Sequence, residues 1–230
     1  MLCMEKIRCM KDLAIFSALN ITEREKIGAL AGKKVYRKNE YIFREGEPAD
    51  TIYLIKYGRV RLVKISMNGK EIILDILKED DIFGENTFFD DARHNMFAQT
   101  LEETFICSCN RDSFVLLLQN PQTSLKIIQL LGKKLNNYTE QVASIAFRDV
   151  KGRISAAILR LADEYGKPSP VGTTIDIDLT HQDMANLVNA SRVMVTNVLS
   201  NLKQEGAITS KGHRLTLLNR EILIQATEVV

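Results

Sequence analysis

The chain has 230 residues, of which 45% are hydrophobic and 26% charged, and its formal net charge is only +2. This length allows one or two domains with a real core, and the composition is that of a soluble globular protein. It contains no run of about 18 apolar residues and no N-terminal signal pattern, which argues against a membrane span and secretion. We therefore expect a cytoplasmic protein with no membrane partner, whose four cysteines are mostly reduced.

Residues 33–113 are predicted to form strands. The run DTIYLIKYGRVRLVKIS (50–66) is rich in β-branched and aromatic residues and is interrupted at Gly58. Asn68-Gly69 separates two further strand-like runs and is a strong signal for a hairpin turn. Many short strands at this spacing favour a small barrel or β-roll.

A long helix is predicted next, with Asn120 as its cap and Pro121 in its first turn. Apolar residues then follow at alternating intervals of three and four. They are Ile128, Leu131, Leu135, Tyr138, Val142 and Ile145. This heptad seam favours a partner helix and hence a homodimer. The alternative is burial against the chain's own barrel, and a helix of this length has room for both.

A second module is predicted to begin with an amphipathic helix over 150–165, which Gly166 ends. Residues 167–174 (KPSPVGTT) are expected to form a loop. Residues 174–179 (TIDIDL) alternate between apolar and polar, which predicts a strand.

Two further helices and a hairpin complete this module. Thr180 begins the first helix, and Asp183 three residues later makes a relative of the capping box. Ser191 caps the second helix, which Gly206 ends, and a hairpin is predicted around Lys211. Two helices joined by a short turn and followed by a hairpin form a winged helix-turn-helix.

The second of these helices carries side chains suited to base recognition. In this geometry its N-terminal residues meet base edges in the DNA major groove. Arg192 can bond both acceptors of guanine, Val193 and the methyl group of Thr196 can contact a thymine methyl, and Asn197 can bond adenine. The sequence therefore predicts a DNA-reading helix, the alternative being a helix-turn-helix used for protein contact or packing.

Phosphate contacts are predicted around this helix. Between residues 191 and 220 there are five Lys or Arg residues and one acid, Glu205, although the whole chain is nearly neutral. Such a local excess of positive charge is typical of a DNA-binding surface. The residues expected to lie beside phosphates are Thr180, Gln182, Ser191 and Lys211.

Three segments together resemble the CRP/FNR superfamily of bacterial transcription regulators over almost the full length. They are DIFGE (81–85), AFRDVKGRI (146–154) and LTHQDMANLVNASRVMVTNVLSNLKQEG (179–206). The resemblance implies an α+β fold with a cupin-like β-roll of the cyclic-nucleotide-binding type (1–119), a dimerisation helix (120–148) and a winged helix-turn-helix (149–230). It also implies a homodimer whose roll senses an effector and repositions the recognition helices. The expected partners are a palindromic site on double-stranded DNA and RNA polymerase.

The recognition helix departs from the family's common pattern. By resemblance, Arg192 takes the guanine-reading position, but Val193 stands where the family commonly has Glu. Asn197 stands at a common later Arg. We therefore expect a half-site different from the standard one. The RVxVT pattern is more like that of the cyanobacterial nitrogen-control branch.

Cyclic nucleotide binding is one interpretation of the roll. By resemblance it uses Gly84 and Glu85 for the ribose and Arg93 for the phosphate. However, His94 and Asn95 follow Arg93, where a nucleotide site has Ser or Thr. Tyr138 and Thr139 occupy the place of the Thr-Ser pair of the cyclic-AMP branch. An ion pair holding a loop would explain the Arg and Glu equally well.

The cysteines suggest a second interpretation. RHNMFAQTLEETFICSC (93–109) resembles the oxygen-sensing FNR branch, and Cys107 falls on that branch's cluster-ligating cysteine. Cys3 and Cys9 have the separation of two N-terminal ligands, and Cys109 is a candidate fourth thiolate for an Fe–S cluster. A thiol redox switch would use the same residues. Alternatively, Cys107 and Cys109, two apart on a strand, face the core as small hydrophobes.

A third interpretation is an organic ligand, a gas or no effector, so the cofactor is unknown. The chain has three histidines and no Walker or dinucleotide-binding glycine motif, and we expect no enzymatic activity. A cyclic-nucleotide-binding-type module that regulates a protein partner would leave residues 179–220 unexplained. The predicted function is therefore DNA-binding transcription regulation.

Overall fold

The computed structural model describes residues 31–89 and 92–228. The chain divides into two compact units between Asn136 and Asn137, inside a long helix. Within the described ranges, no helix is both long and apolar enough to cross a membrane.

The first unit is built on eight described antiparallel strands. They are β1 (Gly32–Tyr36), β2 (Tyr41–Phe43), β3 (Thr51–Tyr57), β4 (Val60–Ile65), β5 (Glu71–Leu77), β6 (Ile82–Phe83), β7 (Phe97–Thr100) and β8 (Thr104–Asn110). They form two sheets, with strand orders β1-β8-β3-β6 and β2-β7-β4-β5. Phe43 and Leu62 from one sheet join Ile55, Phe83 and Ile106 from the other in one buried core cluster. The predicted β-roll is confirmed.

The turn predicted at Asn68-Gly69 joins β4 to β5. Gly69 has φ +79°, in the left-handed region that glycine adopts without strain. Across the turn, the Ser66 amide donates to the Lys70 carbonyl at 2.9 Å. The turn therefore sets which residues of β4 pair with which residues of β5.

Two helices follow the last strand of the roll. The first, α1 (Arg111–Leu118), is not predicted from sequence, and its Phe114 is buried in the core. The second, α2 (Pro121–Phe147), begins where expected. Asn120 Oδ1 caps it by accepting from the amides of Gln122 and Thr123 at 3.1 and 3.2 Å.

The part of helix α2 that belongs to the first unit packs on the roll, and the seam residues along the helix are mostly exposed. Ile127 belongs to the buried core, and Leu130 packs against it. The seam residues Ile128, Leu135 and Val142 are 64%, 66% and 67% exposed. Leu131 and Ile145 are exposed as well, and Tyr138 is half-buried. Burial on the chain's own barrel therefore occurs, but it uses other residues than the seam.

The second unit contains four further helices and one sheet of described residues. The elements are α3 (Val150–Tyr165), β9 (Gly166–Ser169), β10 (Gly172–Ile175), α4 (His181–Val188), α5 (Arg192–Gln204), β11 (Ile208–Lys211), β12 (Arg214–Leu217) and α6 (Arg220–Glu228). The sheet order is β11-β12-β10-β9. Helix α6 is not predicted from sequence. Its Leu223 is fully buried, and Arg220 pairs with Asp163 of α3 at 2.7 Å.

Two predictions for the start of this unit are wrong. The stretch 167–174 is not a loop, because β9 and β10 pair across it as a hairpin. The predicted strand 174–179 leaves the ladder after Ile175, where the Asp176 amide turns to the Tyr165 carbonyl at 3.0 Å. Ile177 and Leu179 are nevertheless buried. The alternation in this segment therefore reports burial without strand pairing.

Candidate DNA-binding surface and effector site

The helix-turn-helix is built by local caps. Thr180 Oγ1 accepts from the Asp183 amide at 3.1 Å, and Asp183 Oδ2 accepts from the Thr180 amide at 2.9 Å, so the predicted capping box starts α4. Asn189 ends α4 in the left-handed conformation, which asparagine tolerates better than most residues. Two residues later, Ser191 Oγ accepts from the Met194 amide at 3.2 Å and caps α5. The two helices are thus held in a tight helix-turn-helix.

Helix α5 separates a buried stripe from an exposed N-terminal end. Its buried residues are Val195, Leu199 and Leu202. The four predicted base-reading residues, Arg192, Val193, Thr196 and Asn197, are all exposed. Val193 is 69% exposed, although it is apolar. These four side chains are therefore accessible to a molecule that binds this face of α5.

The predicted phosphate neighbours are exposed, but three of them already have hydrogen-bond partners. The Thr180 hydroxyl donates to Asp183 at 2.6 Å, and Gln182 Nε2 donates to Asn186 at 2.8 Å. Ser191 Oγ caps α5. Lys211, the last residue of β11 before the hairpin turn, makes no ion pair among the described residues. Lys211 is the charged member of the four, and its charge is not offset by an ion pair within this part of the chain.

The local excess of positive charge is smaller than the sequence count indicates. Arg214 pairs with Asp176 at 2.9 Å and with Asp178 at 2.8 Å. Arg220 is held by Asp163. Glu205, the one acid between residues 191 and 220, forms an ion pair with Lys151 at 2.7 Å. Within 191–220, the cations without an ion-pair partner among the described residues are Arg192, Lys203 and Lys211.

A contact between the two helices is not predicted from sequence. His181 Nδ1, on the first residue of α4, lies 2.8 Å from Thr196 Oγ1 on α5. The position of His181 next to the helix cap suggests a phosphate neighbour, but no local pattern indicates that its ring reaches α5.

The roll contains a small pocket at the predicted effector site. About 220 Å³ of space lies between its lining residues, part of it open to solvent. Gly84 lines it with φ +90°, and a Cβ at this position would lie 2.7 Å from the Thr51 carbonyl oxygen. The pocket is lined by Phe43, Leu62, Phe83, Gly84, Glu85, Asn86, His94, Asn95 and Met96. Gly84 and Glu85 therefore lie at one site, as predicted.

Glu85 is held by the long helix. Both carboxylate oxygens accept from Lys134 Nζ at 3.1 Å, and Lys134 is mostly buried. Lys134 Nζ also lies 3.4 Å from the Ile82 carbonyl oxygen. This partly buried ion pair joins the pocket wall to α2 and is not predicted from sequence.

Arg93 does not line this pocket. Its Nη1 donates to the Gly46 carbonyl at 2.7 Å, which ties the arginine to a neighbouring loop. The suggested ion pair between Arg93 and Glu85 is therefore wrong, because each has a different partner. The other two effector candidates, Tyr138 and Thr139, lie on α2 beyond the division between the two units.

His94 forms part of the pocket wall as an aromatic ring. It stacks on Phe43 with the ring centroids 3.6 Å apart and the planes 6° from parallel. Burial lowers the pKa of His94 below its usual value. The residue that follows Arg93 thus contributes a neutral, stacked ring and not the hydroxyl of a nucleotide phosphate site.

Two of the four cysteines lie in the described residues, and both are buried. Cys107 and Cys109 pack with Ile52 and Leu54 in the apolar core, as expected for two residues on one strand face. Burial, together with Cys107, raises the pKa of Cys109 to about 11. Their burial agrees with the alternative that both face the core as small hydrophobes. Cys3 and Cys9 lie outside the described residues, so the four-cysteine cluster and the redox switch stay predictions.

Both units match known protein families. The cyclic nucleotide-binding domain matches residues 33–120, and the Crp-like helix-turn-helix domain matches residues 152–226. A roll of this type followed by such a helix-turn-helix is the domain order of CRP/FNR-type transcription regulators.

Individual relatives agree with this class. The CRP-like cAMP-activated global transcriptional regulator of Mycobacterium tuberculosis is 30% identical, over 82% of this chain and 84% of that protein. The global nitrogen regulator of Synechococcus elongatus is 28% identical, over 83% of this chain and 87% of that protein. A CooA mutant from Carboxydothermus hydrogenoformans shares the fold, with a TM-score of 0.80 and 22% identity over 96% of this chain and 99% of that one. The chain belongs to the CRP/FNR family of transcription regulators.

Proposed function

We propose that the protein is a homodimer that binds a palindromic DNA site and thereby regulates transcription by RNA polymerase. The observation that carries the proposal is the exposed N-terminal end of α5, where a forked cation, a methyl group and an amide lie together on a capped helix. These groups match the donors and apolar contacts by which base pairs are read in the major groove. Selection of bound duplexes from a random library tests it. We expect a two-fold symmetric site, and a set of bound duplexes without common sequence would contradict it.

The dimer is supported by the seam of α2. Five of its six residues are exposed in the single chain, although they are large and apolar. A contiguous apolar stripe at heptad spacing is the surface that a second helix covers in a coiled coil. Two-fold symmetry through this seam would place two copies of α5 on half-sites about one helical turn apart, roughly 10 base pairs.

Replacement of Lys211 with alanine is expected to weaken binding to all DNA sequences alike. Lys211 lies at the tip of the hairpin without an ion-pair partner among the described residues, so its charge is available to a phosphate. We expect the slope of log affinity against log salt to flatten by about one unit per subunit. The measurement is fluorescence anisotropy over a series of salt concentrations. Lys33→Ala, which removes the same charge from the roll, should leave the slope unchanged, and equal slopes for both variants would exclude the contact.

We propose in addition that the pocket of the roll is the effector site and that Glu85 is its polar anchor. The pocket is mostly apolar and aromatic, with Glu85, Asn86 and Asn95 as its polar groups. Arg93 is bonded elsewhere, so this arrangement favours a small ligand with a hydrogen-bond donor over a cyclic nucleotide. An effector that engages Glu85 competes with Lys134 and so acts on α2. It shifts the protein between two states if it binds one of them more tightly.

A double-mutant cycle on Glu85 and Lys134 tests this link. We expect Glu85→Gln and Lys134→Met each to lower the free energy of unfolding by about 1–2 kcal/mol, between the values for exposed and buried pairs. The double variant should lose little more than either single variant, because both remove the same interaction. We also expect both single variants to change DNA affinity in the same direction without any effector. Lys133→Met is the matched control, because it removes the same charge from the exposed residue that precedes Lys134 on α2. Single effects that add fully in the double variant would show that Glu85 and Lys134 do not interact.

A further inference from the structure

Three residues of the helix-turn-helix form a chain of hydrogen bonds. His181 Nδ1 on α4 lies 2.8 Å from Thr196 Oγ1 on α5. The same oxygen lies 2.9 Å from the carbonyl oxygen of Arg192, one turn earlier in α5. These hydrogen bonds therefore connect His181, the first residue of α4, to the backbone of Arg192, the proposed guanine-reading residue.

Counting the hydrogens defines the direction of each bond. A threonine hydroxyl has one hydrogen and can accept with its lone pairs, whereas a carbonyl oxygen can only accept. The hydroxyl hydrogen must therefore go to the Arg192 carbonyl, a common arrangement for threonine within a helix. Thr196 Oγ1 then accepts from His181, so the imidazole carries its hydrogen on Nδ1. In the neutral ring, Nε2 is left as the acceptor.

We infer that His181 is a positioning residue for DNA recognition, which fixes Thr196 so that its methyl group, and not its hydroxyl, is the part that reads the base. This inference rests on the proposed DNA-binding function. With Oγ1 fixed between the Arg192 carbonyl and His181, Cγ2 is restricted to one staggered position. The hydroxyl hydrogen is no longer available to a base. Thr196 thus contributes an apolar contact, which suits the methyl group of thymine.

Protonation leaves this positioning intact and adds a charge. The imidazolium still donates from Nδ1, because both ring nitrogens carry hydrogens in that form. Burial first, then the charges of Lys203 and Arg192 on α5 and of His213 in the β11–β12 turn, lower the pKa of His181. On its own helix, Asp183 is engaged by Thr180. DNA phosphates would favour the imidazolium, so DNA affinity should rise as pH falls through this pKa, while base preference stays constant.

Three substitutions separate these roles. His181→Asn places an amide N–H near the position of Nδ1–H but does not titrate, so we expect it to keep base preference and to lose most of the rise in affinity at low pH. His181→Ala removes the donor, and Thr196→Val removes the acceptor while retaining a methyl group. His181→Ala should reduce preference for the thymine-containing half-site by about two- to tenfold, the range for one neutral hydrogen bond. Thr196→Val keeps a methyl group in the rotamer that β-branched residues prefer in helices, so it should retain the preference without help from His181. In the Thr196→Val background, His181→Ala should therefore cost no further base preference.

The measurement is anisotropy of matched duplexes that differ at one base pair, from pH 5.5 to 8, with His213→Asn as a control for the other histidine of this surface. Base preference unchanged in His181→Ala, or lost in Thr196→Val, would overturn the inference. If the wild type binds its DNA site and the variants give this result, the inference fails while the proposed function stands. If the wild type binds no duplex, the proposed function fails instead. The nitrogen-15 shifts of the His181 ring still decide the geometry in that case, because an Nε2–H tautomer would overturn it.

Discussion

Replacement of Leu135 with aspartate should convert the dimer into monomers and abolish tight DNA binding. Leu135 lies in the middle of the seam and is 66% exposed in the single chain, so a partner helix is needed to cover it. In a dimer, each aspartate would be buried in an apolar seam without a cation. The penalty is several kcal/mol per carboxylate, and about 1.4 kcal/mol changes an equilibrium tenfold. Association should therefore weaken by a factor of roughly 1,000 or more.

Light scattering gives the mass directly, and anisotropy gives the affinity for a two-fold symmetric duplex. Asn136→Asp is the matched control, because it adds the same charge one residue later, at an exposed position outside the seam. It should remain a dimer. A dimeric mass for the Leu135→Asp variant would show that the subunits associate through another surface.

Replacement of Arg192 with alanine should have the largest effect on base preference. Its side chain is exposed at the start of α5 and makes no ion pair in the described part of the chain. A bidentate contact between guanidinium and guanine contributes about 1–3 kcal/mol of discrimination. We therefore expect affinity for the selected site to fall by this amount per half-site. Preference should relax at one base pair in each half-site and stay unchanged elsewhere.

The matched variant Arg192→Lys separates charge from geometry. Lysine keeps the positive charge near the DNA but lacks the planar fork that bonds two acceptors together. It should keep the salt dependence of wild type and lose part of the discrimination. Competition between duplexes that differ at single positions provides the measurement. Full specificity retained after Arg192→Ala would place α5 outside the major groove.

Local signals in the sequence predict the boundaries of several helices and one hairpin. Asn120, Thr180 with Asp183, and Ser191 each bond backbone groups two or three residues away. Such bonds depend on residue type and spacing, which the sequence displays directly. The heptad seam is equally local, because the helical repeat places its members on one face. These features establish the β-roll, long helix and winged helix-turn-helix in their order.

Short or irregular elements are predicted less well. Helix α1 has eight residues, too few for a clear period, and its Phe114 packs in the buried core. For the segment 174–179 the error is the opposite. Its alternation of apolar and polar residues predicts a strand, but β10 ends at Ile175. Ile177 and Leu179 are buried without belonging to one. Side-chain alternation reports burial of alternate residues, whereas strand pairing requires a neighbouring backbone.

Caps, turns and periodic faces are local, so the amino-acid sequence is enough to assign the family, the architecture and the side chains that are candidates for DNA contact. The pairing of charges and polar groups, in contrast, depends on the three-dimensional fold. Arg214 meets Asp178, and Arg93 meets the Gly46 carbonyl, across 36 and 47 residues. Glu85 meets Lys134 across 49 residues. Partners this far apart in the chain are chosen by the packing of whole elements, and spacing in the sequence carries no record of that packing.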